Sequence, residues 1–445
     1  MILPGPPSRK PYLNGDLSVL QNGRPCAILS PMEQQTKQQT LWTRDFTIIT
    51  VGSVISLFGN ALAAFAISLF VLDYTQTTLY YALYVFLYTL PQLAAPLIAG
   101  PLMDRFSRRK TIYLLDFLTA VLDVGIALIL HFGLMRFWVL AVWTLVIGTV
   151  TSTYQVAYDS FYPLLITEGN FSRAYSIAST LETLSAVMVP VSLFLYKRFG
   201  LAPLLFVNAL CFCAAAVCET RISDVEKEKG LGNEEKYSFS AYWTDAKEGV
   251  RYLWAEKGLL CITLYFVFSS FAGGAEGVIT LPYFKSAFAD GEWIYMTTWG
   301  FSVLGRAMGG MLQYKIKYPA AIKYAVALGV YCVINVLEGS YLFMPVKGMR
   351  IACFLVGILG VTSYTIRSSA TQSYVPDDRK GRFNGAFIML NTSGALLGEA
   401  LAGIGTTFLP MRTVLAVFMG VTLLAAILII GGGKRHVKPL YNREA

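Results

Sequence analysis

The feature that most limits what this chain can become is the recurrence of apolar runs about twenty residues long, the length a helix needs to cross a bilayer. They fall near 46–72, 79–103, 111–132, 137–162, 174–196, 201–218, 259–281, 293–312, 321–343, 349–370, 383–409 and 413–431. Only short polar stretches separate most of them. With 55% hydrophobic and 14% charged residues, the chain lies far from the roughly 25% charged residues of soluble domains. The expectation is an all-α membrane protein with twelve transmembrane helices.

The formal net charge of +9 would suit a nucleic-acid partner if it lined one face. Here the basic residues cluster in the interruptions between apolar runs, so they speak for topology and no nucleic-acid partner is expected. An even number of crossings puts both termini on one side. Most Lys and Arg residues fall on that side. Only Arg136, Lys197, Arg198, Lys285, Lys347, Arg350 and Arg412 fall on the other, and Arg306 and Arg367 lie inside predicted spans. The bias predicts cytoplasmic termini in a plasma (inner) membrane.

The longest interruption, 219–258, carries both charge signs and divides the chain into a bundle at 45–218 and a bundle at 259–431, with a polar tail at 432–445. Within it, Phe239, Tyr242, Trp243, Ala246, Val250, Leu253 and Trp254 share one helical face opposite Asp245, Lys247, Glu248 and Arg251. That pattern predicts an amphipathic helix lying on the membrane surface or against the protein's own inner face. Gly100 and Gly309, and Arg173 and Arg382, recur at one spacing, as parallel repeats of six helices would produce. Residues 1–44 are polar and rich in Pro, Gly and Gln, which predicts a disordered tail without a signal peptide. Met32 is an alternative start of translation.

Enzyme chemistry finds little footing. Two histidines, His131 and His436, leave no triad or zinc set. Cys211, Cys213, Cys218, Cys261, Cys332 and Cys353 sit in or at the end of apolar stretches, where they read as small hydrophobes. The chain lacks a G-x-x-x-x-G-K-[ST] phosphate loop, which argues against ATP drive, and no cofactor or metal is expected.

Between the second and third runs stands GPLMDRFSRRK, in which Gly100, Asp104, Arg105, Arg108 and Arg109 have the spacing G-x-x-x-D-R-x-x-R-R. In a twelve-span chain this resembles the signature of the major facilitator superfamily. VPDDRKGRFN at Val375 to Asn384 and EGVRYLW at Glu248 to Trp254 look like its drug and siderophore efflux branch. The resemblance covers nearly the whole chain beyond the N-terminal tail. It implies two six-helix bundles rocking about a central cavity, a functional monomer, and a cytoplasmic gate at the motif. Gly100 permits close helix approach, and Asp104 and Arg105 can form charge pairs that break as the bundles part. Fixing topology is the simpler role for Arg105, Arg108, Arg109 and Lys110. Asp159, near the inner end of the fourth run, is a candidate partner for the arginines.

A charge inside an apolar helix costs about 2.5–3.5 kcal/mol on insertion scales, so each one is a functional candidate. The deepest are Asp123, Glu182, Glu276, Arg306, Arg367 and Glu399, whereas Asp73, Asp116 and Glu338 lie nearer span ends and read as solvated or interfacial. Burial favours the neutral form of a carboxyl, the chemistry that proton coupling needs. Glu182 and Glu276 come first as coupling candidates, followed by Asp123 and Glu399; a static ion pair with Arg306 or Arg367 is the alternative. Asn60, Tyr154, Gln155, Tyr158 and Arg367 are candidate cavity residues for a small amphipathic substrate. The efflux-branch resemblance implies export, so the expected function is proton-coupled export of such a molecule, a drug or siderophore for example, with uptake, lipid movement or sensing without transport as alternatives on the same fold.

Overall fold

In the computed structural model, which describes residues 40–442 apart from 104–106, 168–169, 186, 224–238 and 316–317, the apolar runs become helices. The first group is α1 (Arg44–Thr75), α2 (Thr78–Met103), α3 (Arg108–His131), α4 (Phe137–Phe161), α5 (Phe171–Ser185), α6 (Met188–Phe199) and α7 (Leu201–Glu219). After α8 (Phe239–Ala255) come α9 (Lys257–Ala287), α10 (Gly291–Lys315), α11 (Lys323–Ser340), α12 (Val346–Tyr374), α13 (Asp377–Gly405), α14 (Met411–Ala425) and α15 (Lys434–Tyr441). A π-helical turn, Ala426–Gly431, prolongs α14. Counting α5 and α6 as one crossing, twelve helices traverse, six on either side of α8. Nine stretches meet the length and apolarity of a membrane span on the described residues alone.

The helix ends have local causes. Thr43 caps α1 by accepting from Phe46 N at 3.2 Å, and Ser107 caps α3 by accepting from Lys110 N. Gly200, at φ 76°, turns the chain from α6 into α7 in a single residue, a conformation that glycine adopts without a Cβ clash. The fifth run, expected as one helix over 174–196, is split. Pro190 lies in the first turn of α6. In an unbroken helix its ring would collide with the carbonyl four residues back, whereas a first turn needs no N–H from it.

Polarity is turned outside in. Val121, Val142, Phe194, Leu210 and Leu428 are among the apolar side chains that stand outward, while Asp116, Asp123, Asn208, Asn335 and Glu399 are buried. A lipid surround rewards this arrangement and water would not. Helices then associate through close backbone approach, because lipid supplies little hydrophobic drive. A Cβ on Gly398 would stand 1.9 Å from the Phe271 carbonyl oxygen, and one on Gly274 2.3 Å from that of Ala395, so α9 and α13 touch main chain to main chain. Gly305 and Gly357 do the same for α10 and α12. The second half repeats the first: α2 packs on α4 as α10 packs on α12, and Phe137 and Val346 open matching helices at the spacing of the Gly100/Gly309 pair.

Within the 219–258 interruption, α8 packs on α13, α2 and α9. Leu253 is buried in the core while Trp254 is 69% exposed, so the helix both seats on the bundle and presents an aromatic side chain outward. Arg382 reaches Glu248 at 2.8 Å, and the Arg379 guanidinium stacks on Tyr252 at 5.3 Å, which ties α8 to the start of α13. At the chain's end, the Tyr441 and Tyr331 hydroxyls meet at 2.8 Å in a buried contact, and α15 closes the base of the second half.

The distribution of cores sets up the site. Near the face where α1 begins and α15 ends, the terminus face, there are two separate clusters. Phe46, Ile112, Phe161 and Leu165 belong to the first half, and Leu259, Tyr331, Phe383 and Tyr441 to the second. Toward the opposite, far face, Leu281 and Met296 of the second half join the core of Leu62, Leu69, Trp143 and Leu204 of the first.

Replacing Gly398 by Val should push α9 from α13 and cost about 1–3 kcal/mol, read as a lower thermal unfolding midpoint in detergent. Gly385→Ala on the same helix meets open space. It should leave the midpoint unchanged or raise it by up to about 1 kcal/mol of stability.

Candidate functional site

Four charged side chains close the far face, and they come from the ends of four helices. Lys285, in the last turn of α9, contacts Asp73 in the last turn of α1 and lies 3.9 Å from Glu292 in the first turn of α10. Lys197, ending α6, pairs with Glu292 at 2.9 Å, and Tyr196 donates to Asp73 at 2.7 Å. Lys197 and Lys285 at helix C-termini and Glu292 at an N-terminus all sit favourably in the helix dipoles, whereas Asp73 does not and is held by its two partners. Two of the pairs, Asp73–Lys285 and Lys197–Glu292, cross between the halves. With exposures of 15–55%, each is worth only about 0.2–1 kcal/mol. Such a latch holds the face shut yet yields to a modest competing interaction. Just beneath it, Phe65 stacks on Tyr295 at 6.2 Å across the same junction.

Three cavities among the described residues lie below the latch. In the second half, about 240 Å³ is lined by Glu276 of α9, Arg306 of α10 and Glu338 of α11, with Thr280, Tyr295 and Tyr341. Two carboxyls share this space with one guanidinium and no direct ion pair joins them among the described residues. Glu338, expected to be interfacial, is instead a cavity wall. It does lie near the end of its run, but it turns inward there and lines the cavity with Leu337 and Tyr341.

In the first half, Asn60, Tyr84, Tyr88, Asp123 and Asn208 border a cavity of about 230 Å³. Asp123 is 2% exposed and accepts from Asn208 Nδ2 at 2.8 Å, while Asn208 Oδ1 is buried without a partner among the described residues. Nearer the terminus face, Tyr154, Gln155, Tyr158 and Asp159 of α4 line about 390 Å³ with Ser53 and Thr50. There Gln155 Nε2 donates to Asp159 Oδ1 at 2.8 Å, and the Ser53 and Tyr158 hydroxyls meet at 3.0 Å. Opposite in the repeat, the Arg367 guanidinium stands 4.8–5.2 Å from the rings of Phe266, Tyr364 and Phe387. The aromatic box satisfies the cation through ring quadrupoles, without a carboxylate within ion-pair distance among the described residues.

The candidate residues are therefore dispersed over several places. Glu399 sits apart from the cavities, 6% exposed, where α13 meets α2; it accepts from Thr89 Oγ1 of the first half at 3.2 Å. Asp104 and Arg105 lie outside the described residues, as do the surroundings of Gly100 and the side chain of Glu182. Arg109 Nη2 donates to the Thr220 carbonyl at 2.8 Å, capping the C-terminal end of α7, and the hydrogen bond described for Asp159 is to Gln155. Asp116 corrects the expectation of a solvated group. It is 1% exposed, and Glu219 at the end of α7, the helix on which α3 packs, is fully buried as well. The signal was present in sequence: Asp116, Thr119 and Asp123 share one face of α3 at helical spacing, the face α3 turns to its buried neighbours.

A sequence model of the Major Facilitator Superfamily matches residues 49–399. The chain belongs to that superfamily. An "Uncharacterized MFS-type transporter YkuC" of Bacillus subtilis (strain 168) is 23% identical over 287 residues, 62% of this chain and 66% of that protein. Macrolide efflux protein A of Streptococcus pyogenes is 21% identical over 224 residues, 50% of this chain and 54% of that protein. The chain thus spans about half to two thirds of the length of the curated relatives it matches. Two solved structures share the fold. The nucleoside transporter NupG has a TM-score of 0.64 at 12% identity, covering 87% of this chain and 99% of its own. A bacterial homologue of the iron transporter ferroportin, in an inward-facing state, has a TM-score of 0.63 at 15% identity, covering 90% and 99%. As a member of this superfamily, the chain is a multi-pass membrane protein.

The far-face latch has a direct test. With native cysteines removed, a cysteine at Phe65 should react several-fold faster with an impermeant maleimide from the far side once Lys285→Ala is added. Lys347→Ala, a basic residue on the same face outside the latch, should leave the rate unchanged. Equal rates in all three backgrounds would show that the ion pairs hold nothing shut.

Proposed function

We propose that this transporter is a proton-linked exporter of a small amphipathic molecule, working as a monomer by alternating access with both termini cytoplasmic. The observation that carries the reading is the asymmetry of its cores, joined across the halves at the far face and separate at the terminus face. The Lys/Arg bias supports a cytoplasmic terminus face, and in that orientation the cavity walls of Tyr154, Tyr158 and Asp159 stand ready to receive cargo from inside. The name of the macrolide efflux relative supports export.

Coupling follows from the charge balance in the second half. Glu276 and Glu338 against Arg306 leave one negative charge in excess when both acids are ionised. Either a proton or a cationic group on the substrate neutralises that excess, and a site that accepts one at a time exchanges them. The aromatic lining from Tyr295, Trp299 and Tyr341 suits an apolar body attached to the cation. Asp104, Arg105 and the arginines that follow belong in this reading to the cytoplasmic gate, with Asp159 as their partner, and Glu182 stays a coupling candidate beside Glu276.

Proteoliposomes holding the full chain test the proposal with erythromycin as the first probe of a panel of amphipathic cations. An acidic lumen should drive accumulation, a protonophore should collapse it, and Glu276→Gln should reduce the gradient-driven rate to near background. Transport indifferent to the gradient, with Glu276→Gln as fast as wild type, would sink the coupling scheme.

A further inference from the structure

Glu399 differs from the other candidate acids in where its neighbours come from. Asp123 is held within the first half, and Glu276 shares a cavity within the second. Glu399, on α13 of the second half, accepts its described hydrogen bond from Thr89 on α2 of the first, while its Oε2 is buried with no partner among the described residues. The seam around it is tight. A Cβ on Gly403, one turn further along, would fall 2.4 Å from Ala82 Cβ, and Thr78 Oγ1 lies 4.0 Å from Met411 Sδ at the far end.

Among the described residues nothing charged compensates the carboxyl. From α2 the titratable groups nearby are Tyr81, packed in the first-half core, and Tyr84 and Tyr88, which border the first-half cavity. From α9 the charged groups toward the far face are Glu276, which lines the second-half cavity with Arg306, and Lys285 of the latch, while α8, packed near the start of α13, brings Glu248, paired with Arg382. From α14 it is Arg412, stacked on Phe343 at 5.3 Å. A carboxylate shut in this seam would keep one hydroxyl donor and lose its water, whereas a neutral carboxyl would keep the same hydrogen bond at far lower cost.

We propose that Glu399 is a proton-binding site at the junction of the two halves, taking a proton from far-side water when the seam is open and holding it as the seam shuts. The proposal rests on the proton-linked reading above and names the group through which the proton acts on the conformational equilibrium. The step is an acid–base one: water on the far side gives up the proton and the carboxylate oxygen gains it. Because the shut state binds one more proton than the open state, acid favours closure of the far face and alkali favours its opening. The cavity acids can then serve the substrate while the seam acid sets which way the transporter faces.

Cysteines at Thr78 and Met411, in a chain otherwise free of cysteine, report closure through their rate of disulfide crosslinking in proteoliposomes at pH values from about 5.5 to 8.5, spanning the range in which carboxyls shift on burial. Crosslinking should rise as pH falls in the otherwise native chain, after normalising to the thiolate reactivity of each single-cysteine control. Glu399→Gln, a permanent mimic of the neutral acid, should give fast crosslinking that no longer depends on pH. Glu399→Asp, which keeps a titrating group, should retain the dependence and shows that the position tolerates change. A pH-independent native chain would overturn the proposal. So would a Glu399→Gln chain with the native pH profile, and that result would leave gradient-driven transport to be carried by Glu276, whose own test is the flux of cargo rather than the state of the seam.

Discussion

A polypeptide in hydrocarbon has no water to satisfy its peptide groups, and every other property of this molecule follows from that constraint. Each crossing must be a helix that closes its own hydrogen bonds. Once all crossings are helices, their outer surfaces are apolar and their association cannot draw on burying hydrophobic surface from water. Contact of main chains at glycine takes over, which is why Gly274, Gly398, Gly305 and Gly357 stand where the second half is most tightly joined. Those joints, with Gly148 against the Tyr88 carbonyl as their counterpart in the first half, stiffen each half. The junction between the halves has different chemistry, a few partly exposed ion pairs at the far face and a narrow seam between α2 and α13.

The contrast between rigid halves and a weakly latched junction is what lets a transporter move. Glycine contacts within a half leave no slack, since adding even one methyl group to Gly398 would force two backbones apart. The latch of Asp73, Lys197, Lys285 and Glu292, at about 0.2–1 kcal/mol for each pair, is instead comparable to what a bound proton or substrate can supply. A fully buried ion pair across the junction would strand two uncompensated charges on opening and hold the protein in one state.

Most of the fold was legible in the sequence because membrane helices announce themselves by length and apolarity, which a single chain displays in full. The split of the fifth crossing into α5 and α6 was marked by Pro190, although whether that proline bends a helix or fits a packed surface depends on neighbours that sequence does not reveal. Sites were less legible. Depth within a run placed Asp123 and Glu399 correctly as buried, yet misjudged Asp116 and Glu338, since a residue near a span's end can still turn inward. Direction around the helix decides burial there, and the polar stripe of Asp116, Thr119 and Asp123 was the readable part of it. Which acids meet, and which face a cavity or a seam, depends on pairing between helices far apart in the chain. Periodicity within one helix carries no record of that pairing.

Placement then separates two tasks that a list of buried acids runs together. An acid in a cavity exchanges a proton for cargo only if the cavity is open to the side on which the exchange occurs, so its chemistry follows the conformation. At a seam the dependence runs the other way: an acid whose solvent and hydrogen-bond partner change as the halves move biases the conformation itself. Glu276 and Glu338, facing Arg306 inside one half, keep their immediate neighbours whichever way the molecule opens. Glu399 cannot, because Thr89 departs with the other half. Obligatory exchange needs both kinds of group, one to make proton and cargo compete and one to make the proton's presence felt in the angle between the bundles.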